Sequence, residues 1–361
     1  NDTATTEIYT LSLHDALPIF HKINSLLTYL LYSSDFPEEY MSSLESEDVA
    51  AVRYIQRELE TQLLRGEDSR AAENYYFLGI MKHKAGDFVS ALKHSERSLD
   101  IRRNLLGEEH PDTANSYFSI GATQLTLEKL PSALQSAQRA LEIRQKLFGE
   151  EHPSTADSHF AVGAIELSLD NYSSALQSTQ RALEIRQKLF GEEHLSTVYS
   201  HLAVGVVQLS LGNYPSALQS AEHALEISRK LFGEEHQRTA DSYLLVGATQ
   251  LKLHDFSSAL HSAQRTMEIK KKFFGEEHIT IADSYHLLGL IQHELGDSAA
   301  ALQSTNKALD MARKIQGEEQ PRIANIYHSI GVLQHELNDI PTSLQSHQRE
   351  LDIRRKLHGD E

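Results

Sequence analysis

Histidine is the residue type with the widest chemical range in this chain, because a neutral imidazole binds metal ions and also transfers protons near neutral pH. The chain has 20 histidines. One set recurs every 42 residues and a second set lies further along: His110, His152, His194, His236 and His278, then His286, His293, His328 and His335. Stacked units would hold successive members of the first set about 10 Å apart. In the second set, His286 and His293 are seven helical residues apart, as are His328 and His335, which also corresponds to about 10 Å. We therefore predict no metal site and interpret the first set as loop or capping residues.

Pairs of adjacent glutamates are the other recurrent chemical group. One pair stands in each unit, at Glu108-Glu109, Glu150-Glu151, Glu192-Glu193, Glu234-Glu235, Glu276-Glu277 and Glu318-Glu319. Acid–base catalysis needs groups that converge on one substrate, whereas these carboxylates are spread at a constant step. We interpret them as a solvated acidic edge, and the alternative is a docking strip for a basic segment, whose binding would weaken with added salt. The chain also lacks cysteine and a GxxxxGK[ST] phosphate-binding loop, so we predict no cofactor and no enzymatic activity.

A constant interval of 42 residues organises these groups. Seven glycines keep this interval without insertion: Gly79, Gly121, Gly163, Gly205, Gly247, Gly289 and Gly331. The segment from Arg139 to His152 also reappears unchanged from Arg181 to His194. A fixed period of this size is typical of a solenoid, in which each unit packs only on its neighbours. One continuous array of 361 residues is therefore favoured over two or three globular domains.

Each unit has the pattern of two amphipathic helices. In the second unit, Tyr117, Ile120 and Leu127 form an apolar stripe at helical spacing, which predicts a first helix over about residues 113–128. A second stripe begins at Ala133, and short Gly, Asn or Asp turns between the two predict antiparallel hairpins. Glycine inside a helix costs about 1 kcal/mol relative to alanine. We therefore predict that the seven glycines allow close approach of the first and second helices.

Charge and hydropathy narrow the range of partners. The 51 acidic and 34 basic residues give a formal net charge of −17, which opposes binding to nucleic acid or anionic lipid and favours a basic partner where electrostatics matter. The apolar run from Ile23 to Tyr32 is about half the ~20 residues that a membrane helix needs, so we predict no membrane span. The absence of cysteine fits a reducing compartment, and we expect a cytoplasmic protein. The oligomeric state stays open.

The chain divides into three parts by sequence. Residues 1–20 share nothing with the repeats and resemble a translated sequencing adapter, so we expect them to be non-native or disordered. Residues 21–71 are predicted to form capping helices or a degraded repeat. Seven repeats follow over residues 72–361, at 72–113, 114–155, 156–197, 198–239, 240–281, 282–323 and 324–361.

These repeats resemble the 42-residue tetratricopeptide repeats of kinesin light chains and nephrocystin-like proteins. The shared elements are the apolar-small pair Ile120-Gly121, the turn with a following aromatic at Asn213-Tyr214, Ala133-Leu134 in the second helix, and the ALEI and LFGEEHP segments. The resemblance implies an all-α fold, a right-handed α-solenoid of helix-turn-helix repeats whose first helices line a concave face. Kinesin light chains carry peptide-gripping asparagines on the first helix, and the matching positions here hold Phe77, Ser119, Ala161, Ala203, Leu245, Leu287 and Ser329.

The resemblance also suggests where a partner would bind. Carried onto this chain, the concave face would be lined by Phe118, Phe160, Leu202 and Leu244, by Leu125, Leu167, Leu209 and Leu251, and near one end by His286 and His293. An exposed apolar strip of this length would accept an amphipathic helix or an extended peptide, and the alternative is that these residues pack against neighbouring first helices. We predict a protein-interaction scaffold or adaptor for a peptide or helical segment. The alternative function is the C-terminal sensor or regulatory array of a larger nephrocystin-like or other nucleotide-hydrolysing signalling protein.

Overall fold

A computed structural model describes residues 68–275, 278–318 and 320–358. The adapter-like segment 1–20 and residues 21–67 of the predicted cap lie outside these residues, as do Glu276-Glu277 and Glu319 of the glutamate pairs. Within the described parts every regular element is an α-helix. The predicted all-α class is confirmed, and none of these helices is long and apolar enough to cross a membrane.

The described helices form seven hairpins, and each begins three residues before the start of the corresponding predicted repeat. Every first helix has 16 residues and every second helix has 19. In chain order they are α1 (Ser69–Lys84), α2 (Phe88–Leu106), α3 (Pro111–Thr126), α4 (Leu130–Phe148), α5 (Pro153–Ser168), α6 (Tyr172–Phe190), α7 (Leu195–Ser210), α8 (Tyr214–Phe232), α9 (Gln237–Lys252), α10 (Phe256–Phe274), α11 (Ile279–Glu294), α12 (Ser298–Gln316), α13 (Pro321–Glu336) and α14 (Ile340–His358).

Local sequence determines where these helices begin and end. Proline occupies the first position of α3 and α5, where its missing N–H costs no helical hydrogen bond. The second helix α4 ends at Gly149, whose φ of 82° is easily reached only without a side chain and whose N–H donates to the Gln145 carbonyl at 2.9 Å. The tight turn before α6 instead uses Asp170 at a φ of 58°, a residue type that tolerates the left-handed region.

Close approach of the two helices explains the glycine in each first helix. A Cβ atom added at any of the seven glycines would lie 3.2 Å or less from a neighbouring heavy atom. At Gly163 it would lie 2.7 Å from Cγ2 of Thr179 and 3.2 Å from the Ala175 carbonyl oxygen, both on α6. Even a methyl group would therefore push the hairpin apart at this point.

The described residues fall into two compact units, one up to Glu192 and one from Glu193. In the first unit, α2 packs on α3 and α4 packs on α5, so each second helix contacts the first helix of the next repeat. The first helices α1, α3 and α5 also contact one another in succession. The second unit repeats this arrangement over α7 to α14. First helices are therefore enclosed on several sides, and most of their residues are buried.

Candidate interaction surfaces

The predicted apolar groove residues lie in the core. All eight are buried, with exposed fractions between 1% for Phe160 and 9% for Leu251: Phe118, Phe160, Leu202, Leu244, Leu125, Leu167, Leu209 and Leu251. The expectation of an exposed strip at these positions is corrected, and the alternative that they pack against neighbouring helices describes them. The cause is that each first helix packs on its own second helix and on a first helix of a neighbouring hairpin in the same unit.

A buried basic residue explains why two of these positions are aromatic. The guanidinium of Arg144 on α4 stacks over the ring of Phe118 at 4.5 Å, and Arg186 on α6 stacks over Phe160 at 4.8 Å. A cation over the face of an aromatic ring is stabilised by the ring quadrupole. These rings therefore have a structural role within their own hairpins.

Arg144 also joins its hairpin to the next one. Its side chain is 1% exposed, and it donates to Asn115 Oδ1 at 2.8 Å within the hairpin. It further donates to the Ser154 carbonyl and to Ser158 Oγ, each at 3.0 Å, at the start of α5. One buried guanidinium thus satisfies polar groups of two successive repeats, and sequence reasoning missed it.

The positions equivalent to Asn115 and Arg144, one pair in each repeat, form a column whose chemistry changes from repeat to repeat. Arg186 pairs with Asp157 at 2.6 Å, and Lys270 pairs with Asp241 at 2.9 Å. The fourth repeat has Tyr199 and Ser228 at these positions, which are neutral. Each acidic or amide residue stands 29 residues before its basic partner. Comparing positions 29 apart across the repeats would have found the pairing from sequence alone.

In the sixth repeat the cation that pairs with the buried carboxylate comes from a different position. Ala312 replaces the basic residue there, and buried Asp283 instead lies 3.2 Å from Nε of Arg322 on α13. A buried carboxylate without a positive partner is costly. The alanine at position 312 is therefore balanced by an arginine from the first helix of the following hairpin.

The loop histidines cap the first helices, as predicted. Each accepts a hydrogen bond at Nδ1 from the backbone N–H two residues later, at 3.1 to 3.3 Å: His110, His152, His194, His236 and His278. Each bond satisfies one of the N–H groups that a helix N-terminus leaves without a helical partner. These histidines thus have a local structural role.

Most of the described carboxylates of the glutamate pairs form ion pairs with nearby basic side chains, whereas Glu192 accepts from the amide of Gln187. Glu150 accepts from Arg181 Nε at 2.9 Å and is contacted by His159 at 3.1 Å. Its neighbour Glu151 pairs with Lys188 of the following second helix. The acidic edge is solvated, as interpreted, but most of its described carboxylates already have cationic partners. This edge is therefore a weaker docking strip for a basic segment than the sequence suggested.

The two histidines assigned to the groove occupy different surroundings. His286 is 1% exposed, and burial lowers its pKa to about 4, while Nε2 contacts Ser329 Oγ at 2.9 Å. His293 is half-buried and contacts Glu336 Oε1 at 2.8 Å. The structure does not bring these two together, and His286 is not accessible to a partner.

Exposed apolar side chains lie instead at the last two positions of the second helices. In the unit up to Glu192 we define the second-helix row as six such residues, 36% to 50% exposed: Leu105, Leu106, Leu147, Phe148, Leu189 and Phe190. In the unit from Glu193 the first of these two positions holds Leu231, Phe273 and Ile315, at 38% to 52%. The repeat places apolar groups at one end of every described second helix up to α12.

The hairpin repeats and their capping pattern define a helical-repeat protein. The family model of the tetratricopeptide repeat matches residues 70–146, 126–188, 163–230, 198–272, 259–314 and 280–356. The chain therefore belongs to the tetratricopeptide-repeat family. Comparison with curated protein sequences gives no match.

Several solved structures share this fold. The apo form of RapI is 20% identical over 79% of this chain and 98% of its own, with a TM-score of 0.64. A Rap protein complexed with competence and sporulation factor is 15% identical over 96% of this chain and 99% of its own, with a TM-score of 0.63. A putative kinesin light chain from Podosopora anserina, with nearly identical TPR-like repeats, is 18% identical over 57% and 98%, with a TM-score of 0.50. At these identities the likeness establishes the fold alone.

Proposed function

We propose that this protein is a non-enzymatic interaction scaffold that binds an apolar peptide or amphipathic helix. The observation that carries the proposal is the second-helix row, in which three successive repeats present Leu-Leu or Leu-Phe pairs at one helical position. Apolar groups repeated on a rigid array suit a segment with regularly spaced apolar side chains. The proposed binding surface is thus at the ends of the second helices and not at the first-helix residues predicted from sequence, which are buried.

The charges beside the row indicate the chemistry of the partner. Lys146 and Lys188 directly precede row residues, and they already pair with Glu109 and Glu151. A strongly basic or acidic segment would have to compete with these pairs. The preferred partner is therefore an apolar segment with few charges, whose binding changes little between low and high salt.

The comparisons support a binding role without identifying a partner. One neighbour of the same fold was solved in complex with competence and sporulation factor, so this kind of array can carry a bound molecule. A role as the regulatory array of a larger nucleotide-hydrolysing protein stays a prediction. The sequence of the full-length transcript tests it, since such a protein would encode a phosphate-binding loop upstream.

Peptide selection on the full chain tests the proposal. Peptides selected from a random library should bind the protein and lose affinity at least about tenfold when Leu105, Leu147 and Leu189 are all changed to serine, since each exposed leucine removed forfeits roughly 1 kcal/mol of burial. The matched control changes Gln135 and Gln177, exposed on the same second helices, to serine and should leave binding unchanged. Selected peptides that bind the leucine triple variant as tightly as the unmodified chain would contradict the proposed surface.

A further inference from the structure

The last described hairpin gathers three metal-binding side chains. His328 lies on α13, and His347 and Glu350 lie one turn apart on α14. Nδ1 of His328 is 3.0 Å and Nδ1 of His347 is 3.3 Å from the same oxygen, Oε2 of Glu350. All three ligand atoms lie within 4.8 Å of one another. Spacing along one helix could not reveal this group, because its members come from two helices.

The other repeats indicate that the hairpin fold does not require these residues. At the position of His347 they hold Ser95, Ala137, Thr179, Ala221, Ala263 and Thr305, and at the position of Glu350 they hold Ser98, Ala140, Ala182, Ala224, Thr266 and Ala308. Small side chains are therefore sufficient for helix packing at both positions. Only the last repeat has metal-binding side chains at both positions, His347 and Glu350, together with a histidine, His328, on the facing helix.

The distances suit a tetrahedral divalent ion. Zinc bonds to histidine nitrogen and carboxylate oxygen are about 2.0–2.2 Å long, which sets ligand-to-ligand distances of about 3.3–3.6 Å. Two of the three distances in the cluster, at 3.0 and 3.3 Å, are already close to that value. With the third distance no longer than 4.8 Å, the group needs side-chain shifts of about 1 Å or less to surround an ion.

The neighbouring residues keep the Glu350 carboxylate ionised and oriented, and both histidines are accessible to solvent. Burial would raise the pKa of Glu350, but hydrogen bonds and charge from His328, Arg354 and His347 lower it to about 2, so the carboxylate is ionised. Arg354 Nε holds the other oxygen, Oε1, at 3.0 Å and orients the group. The His328 and His347 side chains are 37% and 38% exposed, which gives an ion access from solvent.

We propose that His328, His347 and Glu350 form a site for a divalent transition-metal ion, with Zn²⁺ as its best match. The ion takes two Nδ1 atoms and one carboxylate oxygen, and water fills the fourth position. Each imidazole binds in its neutral form with its hydrogen on Nε2, so any imidazolium present releases a proton on binding. The bound ion joins α13 to α14 and so links the two helices of this hairpin.

Titration of the full, chelator-treated chain with Zn²⁺ near neutral pH tests the site. We expect one ion per chain bound more tightly than any background, a rise in the melting temperature, and proton uptake by the buffer. Substituting Co²⁺ should give the intense visible absorption of a tetrahedral site, which weak surface histidines do not produce.

Three variants use residues that this chain already carries at the same positions in other repeats. His328→Phe copies Phe160, His347→Thr copies Thr305, and Glu350→Ala copies Ala308. Each should weaken Zn²⁺ binding at least about tenfold, since losing even an outer-sphere partner costs that much. The control His335→Gln changes an exposed histidine of α13 and should have no effect.

Two results would overturn the site. One is Zn²⁺ binding that is equal in the unmodified chain and in all three ligand variants, which would assign the ions to scattered histidines. The other is the absence of any Zn²⁺-dependent rise in melting temperature together with no Co²⁺ absorption. Circular dichroism of each variant without metal shows whether the hairpin is intact, so a loss of binding through unfolding is recognised.

Discussion

Buried charge at a single helical position is balanced in several ways along this chain. In the third repeat Arg186 meets Asp157, in the second Arg144 meets an amide, and in the fourth the same positions are Tyr199 and Ser228. A buried ion pair contributes little when both partners are present but is costly when one is removed. The fourth repeat therefore shows that a neutral pair, Tyr199 and Ser228, can occupy these two positions in the same fold.

Exchanging the ion pair for the neutral pair tests this interpretation. Asp157→Tyr alone should lower the free energy of unfolding by about 3–5 kcal/mol, because Arg186 stays buried without its carboxylate. Adding Arg186→Ser, which completes the fourth-repeat combination, should recover a large part of that loss. Urea unfolding of the single and double variants as a double-mutant cycle measures the coupling. Strictly additive losses would show that the pair is not a unit.

The buried imidazole of His286 makes stability depend on pH. Burial lowers its pKa from 6.5 to about 4 in the folded chain, with a smaller raising effect of Asp283 and a lowering effect of Arg322. Between these two values the unfolded chain binds a proton that the folded chain does not. The contribution of His286 to the free energy of unfolding is therefore fully present above pH 6.5, decreases as pH falls towards 4, and amounts to about 3 kcal/mol over that range.

Replacing this histidine should remove that contribution. His286→Leu copies Leu244 of the preceding repeat, and Ser329 keeps its hydrogen bond to the Asn325 carbonyl. We expect the variant to show a shallower decline of stability between pH 6.5 and 4 in urea unfolding at several pH values. His335→Gln, at an exposed position, serves as the control and should retain the full slope. An unchanged slope in His286→Leu would assign the pH dependence to other groups.

At the scale of the helices, the glycine of each first helix determines how closely the hairpin closes. Gly163→Leu places a branched side chain where even a Cβ would lie 2.7 Å from Thr179 and 3.2 Å from a backbone oxygen of α6. Overpacking of this kind costs about 1–3 kcal/mol or more. A lower melting temperature by circular dichroism checks it, against Gln177→Leu at an exposed position of α6. Equal melting temperatures for the two variants would mean that the hairpin does not need the glycine.

The helices were predictable from sequence, whereas exposure was not. Apolar spacing around Ile120 predicted the first helix of the second repeat to within two residues, and the turn residues predicted a hairpin in each repeat, because those signals are local. Whether Phe160 faces solvent depends on Arg186 and on the neighbouring hairpins, and a periodic pattern does not distinguish a buried stripe from an exposed one. The cluster of His328, His347 and Glu350 was missed for a related reason, since it forms only when two helices meet.

At the scale of the whole molecule, contacts are confined to neighbouring elements. Within each of the two units, a hairpin packs on the next one through its second helix and the first helix that follows. In such arrays stability is approximately the sum of terms for single repeats and for the interfaces between neighbours. Removing one interior repeat should therefore subtract one set of terms and leave the remaining hairpins folded.

Deleting residues 140–181 tests this additivity. The deletion joins Arg139 to Ala182 and so regenerates the same RALEIRQKLFGEEH segment, and it brings Arg186 to the position from which Arg144 now reaches Asn115. We expect a folded chain with the same helical signal per residue and a moderately lower melting temperature. Circular dichroism and urea unfolding measure both. A collapse of helicity would show that repeats are not interchangeable.

The near identity of successive repeats also has a genetic consequence. Two coding stretches that specify the same fourteen residues lie 42 codons apart, and to the extent that they share codons they can mispair during replication or recombination. The products gain or lose one whole hairpin, and each junction restores an interface that the array already uses. We therefore expect copy number to drift between alleles, and selection then acts on the span of the array as well as on its individual side chains.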